Sequence, residues 1–376
     1  MKKLSALFLS LVLVVAISAP THGVSTYASS AIVMDADSGR ILYAQNIHEQ
    51  RLIASITKLM TALIAVEHTA DLEQEITIQP EWVGVEGSSI YLKANETISM
   101  KGLLYGLLLQ SGNDAAQAIA CHIAGDVDSF AALMNQRAAE IGMENSSFAN
   151  PSGLNDEMHY STAYDMALLA CACLENEVVA EICSTSSITI GTRTFVNHNK
   201  LLQRYEGCVG MKTGYTELAG RTLVSAAVRD GQTLVCVTLN DGNDWNDHEK
   251  LLDYGFETYR NQILCEQGER FGAVKVAGSL IPSVPVVAAE RAVFPLKAGE
   301  SLKLEIELAH SLQAPVPEGM TVGWAVWTLN GETVAETELI CGSAAGYDLL
   351  QKTSIRKRIS RLFDRYTLAP NGAHLI

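Results

Sequence analysis

The chain contains no Gly-x-Ser-x-Gly, no His-Glu-x-x-His and no Cys-x-x-Cys anywhere in its 376 residues. The first absence withholds the strand-to-helix elbow on which many Ser-His-Asp hydrolases mount their serine. The second leaves a metalloprotease without its helical pair of ligands. The third, with cysteine spacings that do not suit zinc, removes the commonest structural metal sites. Positive charge is also short: a net charge of −15 argues against non-specific binding to nucleic acid. Internal repeats are lacking as well. The apolar run Leu4–Ala19 falls short of the ~20 residues a spanning helix needs.

That run follows Met1-Lys2-Lys3 and precedes Pro20, and no charged side chain returns before Asp35. The pattern reads as a secretory leader over residues 1–28, with cleavage after Ala28, or after Ser18 or Gly23. The other reading is an uncleaved anchor. Eight cysteines follow, mostly inside apolar segments, and read as small buried hydrophobes. One or two bridges remain open in an exported chain.

Periodicity divides the rest. Ser30 to Gln45 reads as a hairpin around Asp37-Ser38-Gly39. Apolar residues at helical spacing mark helices over 53–66, 103–109, 115–123, 129–141 and 162–174. Strands over 223–228 and 234–239 and a closing helix over 247–259 complete a first domain, residues 29–265. Five of the nine prolines fall between Pro282 and Pro317, and Leu302, Leu304, Ile306 and Leu308 alternate with polar residues as a half-buried strand would. Asn330-Gly331 is a two-residue hairpin signal. Residues 266–346 thus read as a small β-rich domain. From 347 to 376 the chain is a tail; between Lys352 and Tyr366 it holds six cations and one anion, with Ile355, Ile359, Leu362, Phe363 and Tyr366 on one helical face. Such a stretch suits either peripheral contact with an anionic membrane or a solvated basic end.

Three short motifs carry the chemistry. In Ser55-Ile56-Thr57-Lys58 a hydroxyl and an amine share one helical face, and apolar neighbours draw Lys58 inward, where burial makes an amine available as a base. Ser111-Gly112-Asn113 links two apolar helices and can push a hydroxyl and an amide into a cleft. Lys212-Thr213-Gly214 leads into a strand, where a lysine and a threonine can dock a carboxylate. Each motif alone has a plainer reading: an N-cap with a surface lysine, a helix–helix turn, an exposed hairpin lysine. Ser354-Ile355-Arg356-Lys357 shows that the first motif also arises outside any such context. His159 and His198, the histidines near the motifs, read as a loop residue and a local hydrogen-bonder.

In this order the three motifs resemble those of the serine D-alanyl-D-alanine carboxypeptidases of peptidase family S11, the low-molecular-weight penicillin-binding proteins. Ala31-Ile32-Val33-Met34-Asp35, Asn150-Pro151-Ser152-Gly153-Leu154 and Gly220-Arg221-Thr222-Leu223-Val224 extend the resemblance over about residues 29–265. It implies an α+β fold: a β-lactamase/transpeptidase-like domain, an antiparallel sheet with a helical cluster, followed by the small β-rich domain. It also implies Ser55 as acyl-ester nucleophile, Lys58 as general base, Ser111 as proton relay and Asn113 beside them. Lys212, Thr213 and Gly214 would bind the terminal carboxylate of a D-Ala-D-Ala stem peptide of peptidoglycan. The backbone N–H groups of Ser55 and Tyr215 would form the oxyanion hole, and Asp165 would help order the loop near Lys212. β-Lactams would be inhibitors, and no metal or organic cofactor is implied. Two other readings share these motifs: a sensor that is acylated without turning over peptide, and a class A β-lactamase. The latter normally has Asp at the position of Gly112 and needs a deacylating glutamate, for which Glu157 is the only candidate.

Overall fold

The computed structural model describes residues 24–347. The leader up to residue 23, the basic stretch 352–366 and the second Ser-x-x-Lys at Ser354 lie outside the described residues. The chain divides into two compact units between Glu257 and Thr258.

The first unit opens with the hairpin β1 (Ser30–Asp35) and β2 (Ile41–Gln45), whose turn is held by Asp35 Oδ1 accepting from the backbone N–H and hydroxyl of Ser38. A 3-10 turn, Ala54–Thr57, feeds α1 (Lys58–His68), and every residue of α1 from Lys58 to Ala65 is buried. A helix that is apolar on nearly all sides takes the middle of a core. Around it lie β3 (Glu75–Thr77), β4 (Thr97–Ser99), α2 (Met100–Leu109), α3 (Asn113–Ala124), α4 (Val127–Ile141), α5 (Ala163–Glu175) and α6 (Glu177–Ser184). Their boundaries follow cap chemistry: Ser99, Asp126 and Thr162 accept backbone N–H bonds at the starts of α2, α4 and α5, and Gly142 ends α4 in the left-handed region. The hairpin β5 (Ser187–Ile190) and β6 (Arg193–Val196) and the short α7 (Leu201–Arg204) lead to β7 (Cys208–Thr216), β8 (Gly220–Arg229), β9 (Gln232–Leu239) and α8 (Asp244–Thr258). The main sheet is antiparallel, in the order β2-β1-β9-β8-β7. Lys212, Thr213 and Gly214 therefore stand on its edge strand.

The second unit comprises β10 (Tyr259–Cys265), β11 (Arg270–Ala277), β12 (Ser283–Ala288), β13 (Ala292–Lys297), β14 (Lys303–Leu308), β15 (Ser311–Gln313), β16 (Thr321–Leu329) and β17 (Glu332–Cys341). Six of these form a sheet in the order β14-β16-β17-β12-β11-β15, over a core that includes Val284, Val286, Ala325, Trp327 and Leu339. Asn330 and Gly331 both take positive φ in the β16–β17 turn, as a two-residue hairpin of this kind requires.

Three expectations need correction. Residues 259–265, assigned to the first domain, form β10, whose antiparallel partner is β13, so they belong to the second unit. The alternating strand is present as β14, but it is an edge strand and is not half-buried: Leu304 and Ile306 are 43% and 45% exposed. Alternation encodes two faces, not the presence of something covering one of them. Residues 26–28, placed in the leader, are built into the first unit. Ala28 is buried, its carbonyl accepts from Gln45 Nε2, and the Tyr27 N–H donates to the buried Asp247 carboxylate. All eight cysteines are free thiols. Among the described residues no helix is long and apolar enough to cross a membrane.

The edge position of β14 makes a paired prediction, because Leu304 and its partner Trp327 on β16 share a face of the sheet and differ in burial. Trp327→Ala, which opens a cavity in the core of the second unit, is expected to cost about 3–5 kcal/mol in denaturant unfolding. Leu304→Lys on the uncovered edge is expected to stay within about 0.5 kcal/mol of the parent.

Candidate active site

Ser55 is held on the 3-10 turn by the strand edge beneath it. Thr222 Oγ1 of β8 donates to the Ile53 carbonyl at 2.9 Å, and Thr222 pairs directly with Gly214 of β7. A Cβ at Gly214 would stand 2.4 Å from Thr222 Oγ1, 2.9 Å from the Ser55 nitrogen and 3.1 Å from that of Ile56. Only glycine lets the strand approach these amides so closely. Gly153, at φ +84°, performs the same service from the other side, where a Cβ would fall 1.9 Å from the Ala54 carbonyl oxygen.

Lys58, in the first turn of α1, is wholly buried. Its Nζ lies 3.0 Å from Ser55 Oγ and donates to Asn113 Oδ1 at 2.7 Å and to the Ser152 carbonyl at 2.6 Å. Burial, reinforced by the charge of Lys212 and opposed by that of Asp114, holds Lys58 well below the ordinary lysine value. Asn113 is fixed by its own Nδ2, which donates to the Glu86 carbonyl at 2.6 Å. Ser111 is buried beside it with φ +61°, in a turn closed by the Gly112 N–H bond to the Gly106 carbonyl.

Lys212 is 1% exposed, and its Nζ donates to the Thr213 carbonyl at 2.8 Å. Burial lowers it to about 7. Thr213 and Gly214 are half-buried, and Tyr215 is 63% exposed. The first two motifs are thus joined by hydrogen bonds through Lys58. The third meets the first through the Gly214 contact with the Ser55 amide and through the field Lys212 exerts on Lys58.

A model of the D-alanyl-D-alanine carboxypeptidase family matches residues 15–243, and a model of the penicillin-binding protein 5 C-terminal domain matches residues 259–346. The chain belongs to the D-alanyl-D-alanine carboxypeptidases of family S11. It is 31% identical to D-alanyl-D-alanine carboxypeptidase DacF of Bacillus subtilis over 82% of this chain and 84% of that one. It is 33% identical to DacC of Escherichia coli, over 84% of each. The crystal structure of penicillin-binding protein 5 from Haemophilus influenzae superposes with a TM-score of 0.75 at 29% identity, covering 87% of this chain and 99% of that one. The α+β expectation, a transpeptidase-like domain followed by a β-rich one, agrees with these relatives.

Within this carboxypeptidase fold, Gly112 bears on the β-lactamase reading. A Cβ there would lie 2.9 Å from Asp114 Oδ1 and 3.0 Å from Ile90 Cγ2, so the aspartate of that reading would have to displace the Asp114 carboxylate, which accepts from Ser89 Oγ and the Ile90 and Leu92 N–H groups. Glu157 is exposed on the loop after Gly153. Asp165 accepts from Asn145 N and Ser146 Oγ; it orders that segment and not the surroundings of Lys212. His198, expected to be a local hydrogen-bonder, instead makes a long-range contact: its backbone N–H donates to the Leu109 carbonyl at the end of α2 at 3.2 Å. His159 is on a loop but is 1% exposed, which a loop reading did not anticipate. Also missed was the Ser152 carbonyl at Lys58, since a backbone acceptor has no residue type to betray it. Among the described residues, no group of three or more His, Cys, Asp or Glu side chains could hold a metal ion.

The close approach at Gly214 sets a test. Gly214→Ala is expected to lower D-alanine release by about 10²-fold, the scale of a 1 Å misplacement. Gly242→Ala, where nothing lies within 4 Å, is expected to leave release unchanged.

Proposed function

We propose that Ser55 is the nucleophile and Lys58 the general base in removing the terminal D-Ala from peptidoglycan stem pentapeptides. The observation that carries this reading is the set of Lys58 contacts. A neutral amine has two N–H donors and one lone pair. Asn113 Oδ1 and the Ser152 carbonyl can only accept, so they take both donors, and the lone pair is left for the Ser55 hydroxyl proton. Depression of the lysine's proton affinity by burial supplies the neutral form.

Ser55 Oγ then attacks the carbonyl of the penultimate D-Ala as its proton passes to Lys58. Negative charge develops on the carbonyl oxygen, and the backbone N–H groups of Ser55 and Tyr215 stabilise it. The C–N bond breaks, and Ser111 relays a proton to the departing D-Ala amine. Water hydrolyses the acyl-enzyme, returning the proton to Ser55. Lys212 and Thr213, on the sheet edge, bind the terminal carboxylate of the substrate. β-Lactams, as mimics of the same dipeptide, acylate Ser55 and inhibit.

We infer that the reaction takes place outside the cytoplasm, at the wall or on the outer face of the cytoplasmic membrane, after export by a leader that ends before Thr26. The built-in contacts of Tyr27 and Ala28 support that position. Peripheral membrane contact through 352–366 rests on the charge and apolar pattern of that stretch.

Purified protein lacking the leader is expected to release D-alanine from a D-Ala-D-Ala pentapeptide, and Ser55→Ala to release none and take no penicillin label. Labelling of the parent without D-alanine release would instead make it a sensor. The pH profile follows from signs. Acylation needs Lys58 neutral, so it is lost as pH falls through that group's lowered pKa. Carboxylate binding needs Lys212 charged, so KM is expected to rise as pH climbs past about 7. Lys212→Arg, which stays charged, is expected to flatten that rise; a flat KM in the parent would contradict the assignment.

A further inference from the structure

Thr57 and His159 take no part in the steps above, yet both are buried at the site and joined to each other. Thr57 Oγ1 lies 2.7 Å from His159 Nε2 and donates to the Ala54 carbonyl at 2.8 Å. The Ala149 N–H donates to His159 Nδ1 at 3.1 Å. A backbone amide can only donate, so Nδ1 must carry the lone pair and Nε2 the proton. The hydrogens of the whole chain then have one direction: Ala149 N–H to Nδ1, Nε2–H to Thr57 Oγ1, and the Thr57 hydroxyl to the Ala54 carbonyl.

Each end of this chain belongs to a segment that holds a reacting group. Ala54 immediately precedes Ser55 and is held at φ +49°, a conformation an alanine adopts only under constraint. Ala149 opens the segment whose Pro151 carbonyl accepts from Thr61 Oγ1 at 2.7 Å and whose Ser152 carbonyl accepts from Lys58. Gly153, in the same segment, leaves room for the Ala54 carbonyl to come down on it. Lys58 itself bonds to Ser55 and to the Ser152 carbonyl; the His159 imidazole, from outside the reacting groups, likewise bonds both to the turn carrying Ser55 and to the segment orienting Lys58.

We propose that His159 is a positioning residue: through Thr57 it fixes the strained Ala54–Ser55 backbone, and through Ala149 it fixes the Ser152 carbonyl that directs Lys58. The proposal rests on the reading of Ser55 and Lys58 as nucleophile and base. Only the neutral imidazole can do this, because a proton on Nδ1 would face the Ala149 N–H. The charged groups that act on the ring are Asp156, which favours its protonation, and Lys58, which opposes it. The Phe148 ring packs edge-on at 5.7 Å. Burial, with Lys58 acting in the same direction, outweighs Asp156 and keeps His159 at about 4, so the ring stays neutral where the enzyme works.

Thr57→Val keeps the shape of residue 57 and removes both hydroxyl bonds, whereas Thr57→Ser restores them. Stopped-flow acylation by a fluorescent penicillin separates the dissociation constant of the encounter complex from the acylation rate. Thr57→Val is expected to lose about 10²-fold in acylation rate with that dissociation constant unchanged. Thr57→Ser is expected to recover the parent's rate, and His159→Gln, which keeps one donor and one acceptor, to fall between them. Parent-like acylation in Thr57→Val would overturn the proposal. So would equal losses in binding and rate, which mark general damage. The underlying reading fails separately: in that case the parent protein itself carries no label on Ser55.

Discussion

An amine buried without a counter-ion is the constraint on which the first unit turns. Lys58 is fully enclosed, and its partners are a neutral hydroxyl, an amide oxygen and a backbone carbonyl. Burying a charged ammonium among such groups costs far more than burying a neutral amine, so burial pushes Lys58 well below the ordinary lysine value, towards the basic form. Each partner comes from a different part of the chain: the 3-10 turn, the start of α3 and the loop after α4. The core of α1 through α5 therefore has to close around this one nitrogen for the site to exist.

The backbone at all three motifs is strained. Ala54 before Ser55, Ser111 itself and Met211 before Lys212 all take positive φ, and none is a glycine. Such conformations cost about 1–3 kcal/mol each and persist only where their surroundings over-determine them. Those surroundings are visible: Thr57 and Gly153 at Ala54, the Gly112–Gly106 bond at Ser111, and a wall at Gly210, whose Cβ would meet the Cys183 carbonyl at 2.0 Å. Each strained position thus adjoins or is a residue of one of the three motifs.

Much of the fold was legible because its signals are local. The β1–β2 hairpin, α2 to α5, β8, β9 and the Asn330-Gly331 turn follow from periodicity and turn residues within a few positions of each element. What was not legible depends on distant partners. The membership of β10 is decided by β13, the exposure of Leu304 and Ile306 by what fails to lie over an edge strand, and the place of Ala28 by Gln45. The same division runs through the site. Ser55, Lys58, Asn113 and Lys212 announce themselves by type and spacing. The Ser152 carbonyl acts through its main chain, and His159 acts through another residue, so neither leaves a motif.

The central claim is that Lys58 is a neutral amine in the resting protein. Lysines labelled with 13C at Cε, followed by NMR through a pH titration, report each amine separately, and the Lys58 signal is the one missing from Lys58→Arg. That signal is expected to titrate well below 10.5, apart from the exposed lysines. A Lys58 signal that titrates together with them, at the ordinary lysine value, would contradict the account.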